Sequence, residues 1–253
     1  MTGFDWAFID AEHAPFTPVL LANIINTIST ASNSKTIPVV RVPAMEPSFI
    51  SVALNAGAAG IVRPHTETRE DALQLIEACR YPPLGKRSYG PWAWMPGVND
   101  AVPQGKTLFD AHNESIACIA QIESRLGLQN MEDIISLEGI DAIMIGMGDL
   151  RLDMGLPLHI GNEPEYVEAI QKLEGLAKKY NKPLMGFAFA EMKATMEERV
   201  RKGYKLLMVG ADSLSLVYGL AVAGRTSRAT IVQVQADMAK EGEGNDSDVK
   251  DQA

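Results

Sequence analysis

The sequence predicts an α/β fold of parallel βαβ units, either closed into a barrel or opened into a doubly wound sheet. Three observations carry this. Seven apolar runs of strand length begin near residues 6, 37, 60, 117, 141, 184 and 206, and stretches with helical signals separate them, as in repeated βαβ units. Two of the runs, Ala117-Cys118-Ile119-Ala120-Gln121-Ile122 and Ala142-Ile143-Met144-Ile145, lack polar alternation, as strands buried on both faces do. No Gly-x-Gly-x-x-Gly or Walker-type loop follows any strand, which weighs against a nucleotide-binding doubly wound sheet.

Each element has local reasons. Gly3 to Asp10 reads as the first strand, followed by the polar connection Ala11-Glu12-His13-Ala14-Pro15. Thr17-Pro18 supplies an N-cap and a first helical residue for a helix to about Thr27. Ile37 to Val42 is the second strand; Pro47 opens a helix that ends near Gly57. Gly60 to Pro64 is the third strand with His65 just past it, and Thr68-Arg69-Glu70-Asp71 caps a helix through Cys79. Pro, Gly and aromatics then run from Arg80 to about Gly105. A loop this long inside a domain points to a lid or an interface, and Tyr81, Tyr89 and Trp92 argue against disorder.

After a short helical piece come the two apolar strands, ending at Glu123 and Asp149, with a helix over Met131 to Ser136 between them. Tyr166 to Tyr180 reads as helix, Pro183 to Phe189 as strand, Ala190 to Lys202 as helix and Lys205 to Val209 as strand. A long helix starts near Ser213. The even spread of runs predicts one domain over residues 1–240, and the polar, glycine-rich stretch 241–253 a disordered tail.

Composition excludes several classes. A formal charge of −9, with no Lys/Arg cluster interleaved with aromatics, argues against a nucleic-acid partner. The apolar runs are too short to span a bilayer, and no signal peptide is visible. Cys79 and Cys118 are too few for a disulfide framework, so the expectation is a soluble cytoplasmic protein.

Candidate site residues stand at strand ends: Asp10 with Glu12 and His13, Arg41, His65, Glu123 and Asp149. Barrel enzymes gather their chemistry from the C-terminal ends of several strands. Two carboxylates without neighbouring Cys or His suit a hard divalent ion, Mg²⁺ or Mn²⁺, better than Zn²⁺. Each residue also has a plain reading. Glu123 could be a helix-cap acid, Asp149 a loop turn, His13 a solvated loop histidine, and Arg41 the partner of an acid inside the barrel. Asp10 could hold the His13 ring nitrogen and fix its tautomer. Met144, Met147 and Met154 read as packing. No strand ends in lysine, so a Schiff-base mechanism has no candidate nucleophile.

The ordered motifs Gly3-Phe4-Asp5-Trp6, Asp10-Ala11-Glu12-His13, Val39-Val40-Arg41, Arg80-Tyr81-Pro82-Pro83-Leu84-Gly85-Lys86-Arg87, Gln121-Ile122-Glu123 and Gly146-Met147-Gly148-Asp149-Leu150, with Asp153-Met154-Gly155, resemble the HpcH/HpaI aldolase family. These are metal-dependent pyruvate aldolases related to citrate lyase β subunits. The resemblance runs to about residue 230, and the 28-residue step from His13 to Arg41, with His65 after Arg63-Pro64, is most similar to the macrophomate synthase branch.

The resemblance implies a TIM (β/α)8-type barrel of the phosphoenolpyruvate/pyruvate superfamily. With seven strands legible, the absent pair is the first strand and helix. The expectation is an open gap between the strands at Trp6-Asp10 and Lys205-Val209, with Met1 an internal methionine of a longer protein. The resemblance further implies that Glu123 and Asp149 bind a divalent metal, Mg²⁺ or Mn²⁺, and that Arg41 stabilises an enolate oxygen. His13 with Asp10 would be an acid/base pair, and Gln121, Gly146, Gly148 and His65 would contact substrate.

The implied activity is cleavage or formation of 4-hydroxy-2-oxo acids through a pyruvate enolate. Its alternatives are macrophomate-synthase-like decarboxylation of oxaloacetate with enolate addition, or an impaired barrel kept for binding. A homo-oligomer, a trimer of dimers with the last helix packed on a neighbour, is also implied. Besides the absent first strand and helix, the chain departs from the family at Gly146-Met147-Gly148-Asp149-Leu150-Arg151, where Gly-Pro-x-Asp-Leu-Ser is usual, and at two other places. Arg151 stands where a serine is usual and would bring a charge near the pyruvate carboxylate, Ser88 replaces a glycine, and Phe187 and Phe189 add bulk around Gly186.

Overall fold

The structure is a computed structural model that describes residues 3–43, 46–90, 102–158, 161–189 and 192–250, excluding the side chains of residues 47 and 241–250. In chain order the elements are β1 (Trp6–Asp10), α1 (Pro18–Ala31), β2 (Ile37–Arg41), α2 (Pro47–Asn55), β3 (Gly60–Arg63) and α3 (Arg69–Cys79). Then come α4 (Leu108–Ser115), β4 (Ala117–Ile122), α5 (Arg125–Gln129), α6 (Met131–Ile135), β5 (Ala142–Ile145) and α7 (Met147–Asp153). The last are α8 (Pro164–Lys179), β6 (Leu184–Phe187), α9 (Lys193–Arg201), β7 (Tyr204–Met208) and α10 (Asp212–Lys250). Residues 91–101 of the aromatic loop, Trp92 among them, lie outside the described residues.

All neighbouring strands are parallel, and the order is β1-β2-β3-β4-β5-β6-β7. A doubly wound sheet reverses its strand order at a switch point; sequential order throughout is barrel topology. Alternate residues separate two cores. Val39, Val62, Ile119, Met144 and Met185 meet inside, with Phe8 and Leu206 against them. Their strand neighbours Val40, Ile61, Cys118, Ala120, Ile143 and Leu184 pack outward under the helices. Among the described residues no ladder joins β1 to β7.

The helix starts follow their chemistry. Thr17 accepts from the Leu20 N–H at the start of α1, with Pro18 as first residue. Thr68 and Asp71 form a reciprocal capping box on α3. Asp149 needs a correction: it does not end a strand. β5 stops at Ile145, and Asp149 sits in the first turn of α7. The backbone N–H of Gly146 still donates to Ile122 O (3.1 Å), so the helix begins flush against the end of β4.

Two compact units result, residues 1–188 with 192–208, and residues 189–191 with 209–253. In the second unit, residues 212–240 of α10 are exposed. Helix α10 also continues to Lys250, into the stretch expected to be a disordered tail. No described helix is long and apolar enough to cross a membrane.

Candidate active site

The parallel register places Asp10 directly opposite Arg41 at the ends of β1 and β2. Both side chains belong to the inward-facing set, and they meet in a two-point ion pair, Arg41 Nε to Asp10 Oδ1 at 2.9 Å and Nη2 to Oδ2 at 2.5 Å. Glu12 Oε2 lies 3.3 Å from the same Nε, and the Phe8 ring sits 5.5 Å below the guanidinium carbon. Arg41 is 8% exposed. Burial works against its charge, but Asp10, Glu12 and Glu123 outweigh that and raise its pKa. For Asp10, burial pushes the carboxyl up. The Arg41 hydrogen bond and charge, with the His13 and Glu12 amides, win and hold it below the ordinary value.

The expected link from Asp10 to the His13 ring is not formed. Asp10 Oδ1 accepts the backbone N–H groups of Glu12 (3.1 Å) and His13 (3.3 Å) instead. The tight turn after β1 brings the amides, not the imidazole, to the carboxylate. His13 is exposed, and its Nε2 faces Glu12 Oε2 at 3.9 Å. Glu12 therefore stands between guanidinium and imidazole, a position that spacing alone did not reveal.

On the far side, Glu123 follows β4 and is only 2% exposed. Its Oε1 accepts the backbone N–H of His65 at 2.8 Å, and Gln121 Nε2 donates to its Oε2. His65 holds φ at 45°, a strained value for a non-glycine residue that such sites tolerate. Its exposed ring lies 3.8 Å from Glu123 through Nδ1. Gly146 fits against Glu123 so closely that a Cβ there would come within 2.2 Å of Oε2, so only glycine leaves room for this carboxylate. A Cβ at Gly148 would meet nothing within 4 Å.

Burial raises the Glu123 pKa. The His65 amide and Gln121 oppose the rise, and the charge of Asp149 adds to it. This is the signature of a buried acid beside a second acid with too little positive charge to balance them. Gln121 Oε1 is buried without a partner, another acceptor oxygen in the same place. Two carboxylates and an amide oxygen form a hard oxygen set that suits a Mg²⁺-like ion. Among the described residues no third His, Cys, Asp or Glu completes an all-protein cage, so water and substrate would fill the remaining positions.

Arg151 departs from expectation. Its Nε donates to Pro157 O (2.6 Å), its Nη2 to Glu163 (2.7 Å), and it stacks over Tyr166. Position 151 lies past the first turn of α7, where the helix turns the side chain away from Asp149, so its charge does not serve the site. Phe187 lies beneath Arg199 at 5.3 Å.

Comparison with known proteins gives the family. The family model for HpcH/HpaI aldolase/citrate lyase matches residues 1–218. The chain is 34% identical over 214 residues to 5-keto-4-deoxy-D-glucarate aldolase of Klebsiella pneumoniae subsp. pneumoniae, covering 84% of this chain and 79% of that one. The enzyme of the same name from Salmonella arizonae is 34% identical over the same shares. Among solved structures, macrophomate synthase superposes with a TM-score of 0.83 at 32% identity, covering 92% of this chain and 79% of that one. An HpcH/HpaI aldolase from Desulfitobacterium hafniense gives 0.76 at 26% identity, with 89% and 84% covered.

Proposed function

This chain belongs to the HpcH/HpaI aldolase/citrate lyase family and is a carbon–carbon lyase of the aldolase type, and on that premise we propose that it cleaves or forms 4-hydroxy-2-oxo acids with pyruvate as one partner. The observation that supports the reading best is the Glu123 carboxylate, 2% exposed and held by the His65 amide and Gln121, with Gln121 Oε1 left without a partner. Glu123 and Asp149 would hold a divalent ion, Mg²⁺ or Mn²⁺, which when bound polarises the keto group as a Lewis acid.

Arg41 presents a second positive charge to the oxygen that becomes negative as the C–C bond breaks. The ion pair with Asp10 holds it in place beforehand. His13, faced by Glu12, takes the proton from the hydroxyl that becomes the aldehyde, directly or through water, and returns it in synthesis. Gln121, His65 and Gly146 border Glu123 and, with Gly148, would contact the 2-oxo acid. The relatives' named substrate, 5-keto-4-deoxy-D-glucarate, is also an oxo acid.

The test is pyruvate release from a panel of 4-hydroxy-2-oxo acids with and without added Mg²⁺ or Mn²⁺. Glu123→Gln and Asp149→Asn should each abolish the metal-dependent rate and weaken metal binding by calorimetry, with the fold retained. Undiminished Mn²⁺ affinity in both variants would remove the assignment. A second reading, decarboxylation of oxaloacetate to the same enolate followed by addition to an acceptor, is favoured by the likeness to macrophomate synthase and by His65 at the site. CO₂ release from oxaloacetate without turnover of any 4-hydroxy-2-oxo acid would select it.

We infer that the protein is a homo-oligomer, since α10 exposes Leu214, Leu216, Val217, Leu220, Ile231 and Val232, more apolar surface than a lone helix keeps in water; a trimer of dimers is what the family resemblance implies. Both cysteines are free and buried, which fits a reducing, cytoplasmic setting.

A further inference from the structure

A cleft of about 240 Å³ lies between α8 and α9, on the outer side of the strands. Tyr166, Val167, Ile170 and Glu174 line it from α8, and Glu198, Arg199 and Lys202 from α9. The spacings are those of a single stripe on each helix. Met147, from the first turn of α7, and Tyr204, at the start of β7, also line it.

Two polar atoms in this cleft have no partner, Arg199 Nη1 and the Tyr166 hydroxyl. Their side chains are buried, the residues being 7% and 6% exposed. Arg199 has poor substitutes for an anion. Its Nη2 donates to the Met147 sulfur at 2.8 Å, a weak acceptor, and its guanidinium carbon lies 5.3 and 5.5 Å from the Phe187 and Tyr204 rings. The two acids in the lining are already engaged. Glu174 lies 3.3 Å from Lys202 Nζ and accepts from the Tyr204 hydroxyl at 3.2 Å, while Glu198 pairs with Lys202 at 2.8 Å. Among the described residues no carboxylate pairs with Arg199. A buried guanidinium without a counter-anion is costly, yet the backbone makes room for it: a Cβ at Gly186 would come within 3.1 Å of Nη1 and 3.0 Å of the Tyr204 ring.

We propose that this cleft is a second ligand site, distinct from the barrel mouth, that takes a small aliphatic monocarboxylate. The carboxylate accepts from Arg199 Nη1 and from the Tyr166 hydroxyl, and the short carbon chain lies along Val167, Ile170 and Met147. A monoanion is selected over a dianion because the site offers one uncompensated cation, and Glu174 and Glu198 repel further negative charge.

The test uses the full chain with ¹³C-methyl methionine, treated with chelator so that no ion bridges a carboxylate to Glu123 and Asp149, and titrated with propionate, which lacks a keto group. The Met147 methyl resonance, assigned with Met147→Leu, should shift saturably, and Glu123→Gln should leave that shift unchanged. Arg199→Gln should abolish it, and Tyr166→Phe, which removes one hydroxyl from an intact ring, should weaken binding by about fivefold to tenfold. If Arg199→Gln does not fold, Tyr166→Phe decides alone. No saturable shift at Met147, an unchanged affinity in Tyr166→Phe, or loss of the shift in Glu123→Gln would each overturn the proposal.

Discussion

Arg41 uses two of its five N–H donors on Asp10 among the described residues, and that pair sets both the direction and the rigidity of the guanidinium. Lysine keeps the charge and loses the fork. Arg41→Lys should therefore cost about 10²–10³ in kcat, the range for removing a donor aimed at a developing oxyanion; steady-state rates within about threefold of the parent would contradict the role. The same pair has a pH signature. The Asp10 pKa is depressed in the folded protein, so its stabilisation is present above the unfolded value of about 3.9 and fades as pH falls below it. Asp10→Asn should lower the unfolding midpoint at pH 7, and the gap from the parent should narrow by pH 3. A gap of constant size across that range would show that the charge is not what Asp10 contributes.

Among the elements, the junction of β3 and α3 positions one wall of the site. Arg63, at the end of β3, donates to Asp71 Oδ1 at 2.7 Å, and Asp71 Oδ2 accepts the N–H groups of Glu67 and Thr68 in the α3 capping box. Between them runs the turn that presents the His65 N–H to Glu123. Burial lowers the Arg63 pKa to about 10 against the opposing charge of Glu67, and its Nε and Nη1 have no partner, so Asp71, at 2.7 Å, is its one direct ion pair among the described residues. Asp71→Ala leaves a buried guanidinium unpaired and removes the cap. Chemical denaturation should show a loss of about 3 kcal/mol, near the low end for a broken buried pair because Asp71 keeps part of its surface in water. A loss under about 1 kcal/mol, the scale of an ordinary cap, would mean that Arg63 finds another acceptor.

For the whole molecule, the 39-residue α10 exposes large apolar side chains along its length. The double variant Leu216→Asp with Leu220→Asp, two side chains one turn apart and 64% and 65% exposed, should shift light scattering from an oligomer to a smaller species while circular dichroism is retained. An unchanged mass would show that this face is not an interface.

The residue pattern by itself determined the seven strands, their parallel pairing and the capping of α1 and α3, and it put polar candidates at strand ends, because strand burial, N-caps and strand-end polar groups are local and periodic signals. Tertiary structure alone decided that Asp10 serves Arg41 and not the His13 ring, since register across two strands fixes that pair and loop spacing does not. It decided as well that Arg151 turns away to Glu163, that Asp149 starts a helix, that Gly146 must lack a side chain beside Glu123, and that Arg199 Nη1 and the Tyr166 hydroxyl are left without hydrogen-bond partners. Each of these depends on which side chains face each other after packing, a relation between residues far apart in the chain that no single stretch of sequence encodes.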